Sequence, residues 1–189
     1  MVVLSAPSGC GKTSIVERLL KRHPDWVRSV SVTTRAPRLE EKSGEHYLFL
    51  SKPEFEKMKG GKKLLEWAEI YGQFYGTPKE FIVGQIDQNK VVILTIDVQG
   101  SKQVKETWGK ERPMVSIFIL PPSVKALRER LTNRQTETPE EIEKRISIAQ
   151  DEIKSAALYD KTVINQNLDQ AVLEVEAIIQ IFLTERSKK

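Results

Sequence analysis

The sequence predicts an α/β fold in which helices cover both faces of a parallel sheet, and three observations favour it. Short β-branched runs alternate along the chain with amphipathic helical patterns. A phosphate-binding loop connects the first run to the first helix. A charged and aromatic stretch from residue 32 to residue 77 then interrupts the alternation. That interruption indicates an inserted lobe of short strands.

The composition excludes several classes of protein. The chain has 189 residues, of which 39% are hydrophobic and 30% charged, with 10 Gly and 9 Pro, so it is neither collagen-like nor disordered. Its net charge of +4 suits an anionic ligand but is small for a protein that coats nucleic acid. A single cysteine and the lack of an apolar run of about 18 residues favour a cytoplasmic location without disulfides, structural zinc or a membrane span.

Apolar patterning assigns the main elements. Buried strands are predicted at residues 2–5, 91–96, 115–120 and 162–164. Apolar residues at helical spacing predict helices over residues 124–131, 142–153 and 172–182. Because parallel strands end at one edge of a sheet, we expect ligands to bind outside their carboxyl ends.

Two of these helices have recognisable starts. Thr138, Pro139 and Glu141 supply an N-cap, a first-turn proline and a capping-box glutamate, whereas Asn167 with Gln170 is a weaker start signal. Both signals predict where the last long helices begin.

The interrupting stretch has its own pattern. Alternating residues 47–50 and 64–67 predict strands, and residues 54–59 predict a helix between them. We interpret the charge runs at residues 40–42 and 57–63 as solvated surface.

The phosphate-binding loop follows the first strand directly. It consists of Ala6, Pro7, Ser8, Gly9, Cys10, Gly11, Lys12 and Thr13. In this pattern backbone N–H groups enclose phosphate oxygens, Lys12 reaches the terminal phosphates and Thr13 offers a hydroxyl to Mg²⁺. Ala6 replaces the first glycine of the pattern, which the chain tolerates if that position has a negative φ. The competing interpretation is a glycine-rich turn that only starts a helix, and Cys10 is interpreted as a small variable loop residue.

Asp97 follows the second buried strand, so its carboxylate is expected at the same sheet edge as the phosphate loop. It can bind magnesium there or cap the next helix, and these interpretations are compatible.

Arginines are grouped in two places. Arg35 and Arg38 lie in the inserted stretch, and Arg130, Arg134 and Arg145 bracket a polar segment between two helices. A single surface arginine is more often solvated or ion-paired, but the grouping fits a reaction between two polyanions. A phosphate acceptor is already an anionic nucleophile, so such a reaction needs charge neutralisation and positioning rather than a strong base.

Several segments together resemble the guanylate kinase family. Besides the phosphate loop they are SVTTRAPR (31–38), GEHY (44–47), LEWA (65–68), YGT (75–77) and IDVQG (96–100). The resemblance implies a P-loop kinase core at residues 1–31 and 78–189, with a helical lid at about 130–145, and a mixed β/α lobe at 32–77 that binds GMP. It further implies reversible transfer of the γ-phosphoryl group of ATP to GMP or dGMP, with Mg²⁺ and without a nucleic-acid, membrane or obligatory protein partner.

The resemblance also implies residue roles. The acceptor site comprises Ser31, Glu66 and Thr77 facing guanine, Arg35, Arg38, Tyr47 and Tyr75 on the phosphate, and Asp97 beside them. The transferring group would meet Lys12, Arg38, Arg134 and Arg145, the adenine nucleotide Arg130 and Asn165, and Mg²⁺ Thr13 and Asp97. An ionised Glu66 accepts the N1–H and N2–H of guanine and Ser31 donates to O6. From the residues alone, Glu66 could equally be a solvated strand-face carboxylate, and the tyrosines could be packing residues.

Two departures from the family pattern weaken parts of this assignment. Thr95 stands where the family often has an acidic residue, and Gln135 stands where a glycine usually follows the lid arginine. Two other functions remain open, a non-catalytic guanylate-kinase-like interaction module and a small-molecule kinase with another phosphate-bearing acceptor. Intact Gly11, Lys12 and Thr13 favour catalysis, and the pair of Ser31 and Glu66 favours guanine.

Overall fold

A computed structural model describes residues 1–38, 41–70, 72–133 and 138–187. Its strands are β1 (Val2–Ser5), β2 (Val27–Arg28), β3 (Ser31–Thr33), β4 (Tyr47–Phe49), β5 (Leu64–Ile70), β6 (Gln73–Pro78), β7 (Val92–Thr95), β8 (Val115–Leu120) and β9 (Lys161–Ile164). Its helices are α1 (Lys12–Arg22), α2 (Lys52–Gly60), α3 (Lys79–Asp87), α4 (Val98–Glu111), α5 (Val124–Thr132), α6 (Pro139–Lys154) and α7 (Leu168–Ser187).

The larger sheet is parallel, with strand order β2-β7-β1-β8-β9. This arrangement confirms the predicted fold class. The predictions for β1 and β8 match residue for residue, the one for β7 is a residue too long at each end, and the one for β9 starts a residue late. No sequence pattern predicted β2, which has only two residues, both half-buried.

Helices cover both faces of this sheet because side chains alternate along its strands. Val2 and Leu4 of β1 belong to the apolar cluster formed with α1, α5, α6 and α7. Val3 instead joins the cluster on the opposite face, where Val104 and Trp108 of α4 pack. The ends of β1 and β7 therefore emerge together at one edge of a core that is closed on both sides.

The smaller sheet has strand order β4-β3-β6-β5. β3 and β4 are parallel, whereas β6 is antiparallel to both β3 and β5. Val32, Phe55 and Phe74 form its own buried cluster beneath α2. All four strands fall in or beside the interrupting stretch of residues 32–77. That this stretch forms a domain separate from the core stays a prediction.

Side-chain caps fix several helix starts. Thr138 and Glu141 form the expected capping box at α6, and the Asn167 side chain accepts from the backbone N–H of Gln170 at 3.1 Å. In the smaller lobe, α2 starts two residues before the predicted helix because Ser51 and Glu54 form a further capping box.

Residues 134–137, within the predicted lid, lie outside the described residues. The predicted roles of Arg134 and Gln135 therefore have no structural counterpart here. In the described part of the chain, no helix is long and apolar enough to cross a membrane.

Candidate active site

A cavity of about 590 Å³ opens at the carboxyl edge of the larger sheet. Residues from both sheets and from α6 line it. Among the residues predicted from the sequence, it is lined by Ser8, Lys12, Ser31, Arg35, Arg38, Tyr47, Glu66, Tyr75, Asp97 and Arg145. The structure therefore brings the phosphate loop, the first arginine group and the candidate base-reading carboxylate to one place.

The phosphate loop joins β1 to α1 through two glycines with positive φ. Gly9 has a φ of 87° and Gly11 a φ of 83°, a region that residues with a side chain rarely adopt. Ala6 is not among the non-glycine residues with positive φ in the described chain, so it fits where the pattern has glycine. At Gly11 a Cβ atom would also collide with the amide nitrogen of Asn165.

Lys12 lies at the base of the cavity. Its ammonium donates a hydrogen bond to the carbonyl oxygen of Ile96 at 3.3 Å. Burial lowers the pKa of Lys12, and the negative charges of Asp97 and Glu152 oppose this shift. A phosphate entering the cavity would supply a further negative charge to an ammonium that is partly removed from water.

Asp97 is the N-cap of α4. One of its carboxylate oxygens accepts the backbone N–H of Gly100 at 2.7 Å. Because the residue also lines the cavity, the capping interpretation is confirmed and the ligand-binding one stays open.

Glu66 is the most deeply buried carboxylate lining the cavity, with 5% of its surface exposed. Its oxygen accepts the hydroxyl of Thr77 at 2.5 Å. A Cβ atom at position 100 would collide with the other carboxylate oxygen, so Gly100 leaves room for this side chain. Burial raises the pKa of Glu66 to about 7, against the Thr77 hydrogen bond and with the help of nearby Asp97. The solvated interpretation of Glu66 is wrong.

Arg35 also lines the cavity and is held there by an ion pair. Its Nη2 lies 2.9 Å from each carboxylate oxygen of Glu41. The guanidinium also lies 5.5 Å from the centre of the Tyr47 ring, which meets the ring of Tyr75 edge-on at 6.0 Å. Burial raises the pKa of the Tyr47 phenol, so this hydroxyl stays a hydrogen-bond donor at neutral pH.

The charge run at residues 40–42 is not simply solvated surface. Only 14% of the Glu41 side chain is exposed. Burial acts to raise the pKa of Glu41, but the backbone N–H of Arg38 and the Arg35 guanidinium hold it below its usual value. Sequence reasoning missed Glu41 because its partner lies six residues away and carries no spacing signal.

Helix α6 reaches the cavity through Arg145, whose Nη1 donates to the hydroxyl of Ser8 at 2.8 Å. Glu152 lines the same cavity, and the sequence analysis did not identify it. The signal was available, because residues seven apart lie on one face of a helix.

Asn165 contacts the phosphate loop and Arg130 contacts Asn165, and neither residue lines this cavity. The Asn165 amide nitrogen donates to the carbonyl oxygen of Cys10 at 2.8 Å, and Arg130 donates to the backbone oxygen of Asn165 at 2.7 Å. Cys10 is buried in the core, which corrects its interpretation as a variable loop residue. Burial raises the pKa of its thiol to about 12, which keeps the thiol protonated at neutral pH.

A protein-family model described as guanylate kinase matches residues 1–181. The chain belongs to the guanylate kinase family. A guanylate kinase from Synechocystis sp. is 46% identical over 179 residues, which cover 95% of this chain and 92% of the relative. Another, from Carboxydothermus hydrogenoformans, is 42% identical and covers 95% of this chain and 86% of the relative.

A solved structure has the same fold. The crystal structure of guanylate kinase from Anaplasma phagocytophilum aligns with a TM-score of 0.79 and 32% identity, covering 96% of this chain and 84% of that one. Because the match covers 96% of this chain, it includes both sheets.

The pKa of Glu66 predicts a pH-dependent stability difference. Glu66 keeps its proton up to about pH 7 in the folded protein, whereas in the unfolded chain it loses the proton near the ordinary glutamate pKa of 4.5. Stability should therefore fall as pH rises between these values, and Glu66→Gln should remove the effect. Between about pH 5 and pH 8, the free energy of unfolding of this variant should rise relative to that of the parent by about 3 kcal/mol at most. Urea unfolding at each pH measures this difference.

The matched control is Glu69→Gln, an exposed position on the same strand. This variant should track the parent protein across the pH range. A difference between Glu66→Gln and the parent that does not change with pH would contradict the raised pKa.

Proposed function

We propose that the chain is a guanylate kinase that reversibly transfers the γ-phosphoryl group of ATP to GMP or dGMP, giving ADP and GDP or dGDP. The observation that carries the proposal is that one cavity is lined by both Lys12 of the phosphate loop and the buried carboxylate of Glu66. This combination suits an enzyme that joins a nucleotide phosphate site to a base-selective acceptor site.

Glu66 and Ser31 read the guanine base in this proposal. An ionised Glu66 accepts the N1–H and N2–H of guanine, and the Ser31 hydroxyl donates to O6. The Thr77 hydrogen bond orients the carboxylate before the base arrives. Because guanine supplies two donors to the buried anion, its binding favours the ionised form of Glu66.

Arg35, Arg38, Tyr47 and Tyr75 bind the phosphate of the acceptor. All four line the cavity, and guanidinium and phenol groups both donate to phosphate oxygens. The acceptor oxygen is anionic near neutral pH, so these donors position it and no strong general base is needed.

The phosphates of ATP bind to the backbone of residues 6–13, at the N-terminus of α1, with Lys12 on the terminal groups. Arg145 neutralises the transferring group, and its contact with Ser8 already holds it beside the loop. Arg130 and Asn165 lie on the loop side that the adenine nucleotide occupies in this proposal.

Thr13 and Asp97 would hold Mg²⁺. Their hydroxyl and carboxylate are the oxygen donors that this ion prefers, and one Asp97 oxygen is already committed to Gly100. In the described residues no group of three or more His, Cys, Asp or Glu side chains could hold a metal, so substrate phosphates would supply most of the coordination. When bound, the ion would neutralise phosphate charge.

A cytoplasmic location and the lack of other partners stay predictions.

The proposal is tested by ADP formation with each nucleoside monophosphate. We expect turnover with GMP and dGMP, with kcat/KM for AMP, CMP and UMP lower by about 1,000-fold or more, because a buried acceptor left unpaired is costly. The control is Lys12→Ala, which should bind GMP but lose most turnover. GMP binding by the parent without ADP formation would instead support the interaction module, and an equal rate with another acceptor would contradict guanine selection.

Arg145 is expected to act mainly in the transition state. Its charge stabilises the transferring group, so Arg145→Ala should lower kcat about 100-fold and change the KM for GMP less than about threefold. Arg112→Ala is the matched control, because Arg112 lies at the end of α4 outside the cavity. A raised KM with normal kcat would place Arg145 in substrate binding instead.

A further inference from the structure

We propose that Glu41 is a positioning residue of the acceptor-phosphate site, whose carboxylate holds Arg35 and the backbone at Arg38 in the geometry that binds the phosphate of GMP. This inference rests on the proposed function, because it takes Arg35 and Arg38 as phosphate ligands. It adds a residue that touches neither substrate in that proposal.

One carboxylate contacts both arginine positions. Arg35 Nη2 donates to Oε1 and Oε2 of Glu41, each at 2.9 Å. The backbone N–H of Arg38 donates to Oε2 at 2.8 Å, and the backbone N–H of Glu41 returns to the carbonyl oxygen of Arg38 at 3.0 Å. Glu41 therefore holds the backbone of Arg38 and the side chain of Arg35 at the same time.

Glu41 acts from behind the arginines. Arg35 and Arg38 line the cavity, whereas Glu41 is absent from its lining. The carboxylate therefore does not occupy the space that a phosphate would enter. Arg35 Nη1 additionally donates to the carbonyl oxygen of Ala36 at 2.7 Å, so the plane of the guanidinium is set from two directions.

The ion pair between Arg35 and Glu41 is largely shielded from solvent, so it can hold the arginine side chain in one position. Side-chain exposure is 20% for Arg35 and 14% for Glu41, unlike the exposed ion pairs that contribute little. A long arginine side chain loses rotational freedom when it binds a phosphate, and a side chain already fixed in place loses less. The Glu41 charge also repels the phosphate, but the two arginines lie between them, so we expect positioning to dominate.

The test is the affinity for GMP, measured by titration calorimetry on the full chain without ATP. Glu41→Gln keeps the size of the side chain but removes its charge and one acceptor, and should raise the Kd for GMP by about tenfold. The Kd for ATP and the kcat at saturating GMP should change by less than about twofold. The matched control is Glu45→Gln, an exposed carboxylate of the same lobe, which should leave the Kd for GMP unchanged.

A double-mutant cycle separates positioning from general damage to the lobe. Because Glu41 also accepts the backbone N–H of Arg38, Glu41→Gln should still raise the Kd for GMP when Arg35 is already alanine, but by clearly less than the roughly tenfold change expected in the parent. An unchanged or tighter Kd in Glu41→Gln alone, or an undiminished loss in the Arg35→Ala background, overturns the inference.

Two further measurements keep the outcomes distinct. If Glu41→Gln does not stay folded, Glu41→Asp replaces it, and its shorter carboxylate should give an intermediate Kd, whereas a parental Kd overturns the inference. If the parent protein binds no GMP, the proposed function fails and the inference fails with it. If the parent binds GMP and Glu41→Gln matches it, only the inference fails.

Discussion

The burial of the Glu66 carboxylate is the constraint on which the rest of the site depends. A buried carboxylate resists ionisation, and here only the Thr77 hydroxyl offsets that penalty directly. Gly100 is required beside it because a side chain there would collide with the carboxylate. In the proposed function, a ligand that donates hydrogen bonds completes this site, and guanine offers two such donors. Burying Glu66 lowers the free energy of unfolding above about pH 5, and hydrogen bonds from a bound guanine would offset this cost in the proposed function.

The charged side chains around the cavity fall into two groups. Lys12, Asp97 and Glu152 form one charged group of the cavity lining, in which the two carboxylates act on the pKa of Lys12. Arg35 and Arg38 form a second charged group, and both are hydrogen-bonded to Glu41. The parallel sheet brings Lys12 and Asp97 of the first group together, because they follow β1 and β7, which are neighbours that end at the same edge. The segment after β3 of the smaller sheet supplies Arg35 and Arg38, so in the proposed function the larger sheet and this segment contribute charges to the same cavity.

The parts of this arrangement that the sequence predicted are those with a local signal. β8 is an apolar run and was assigned residue for residue, and Gly9 and Gly11 of the predicted phosphate loop have the positive φ that glycine permits. Contacts between distant residues have no such signal. The resemblance to the family singled out Glu66 and Thr77, but only the structure brings them to 2.5 Å. Glu41 looked like surface charge because a run of charges does not indicate which member is paired.

Guanine selection by Glu66 is tested most directly by kcat/KM for GMP and for AMP, measured in the parent and in Glu66→Gln. A glutamine keeps the size and the Thr77 contact but offers guanine one acceptor and can donate to adenine N1. We predict that GMP efficiency falls by about tenfold or more and that the ratio of GMP to AMP efficiency narrows, with ATP binding unchanged. A ratio equal to that of the parent would contradict the claim that this buried carboxylate reads the base.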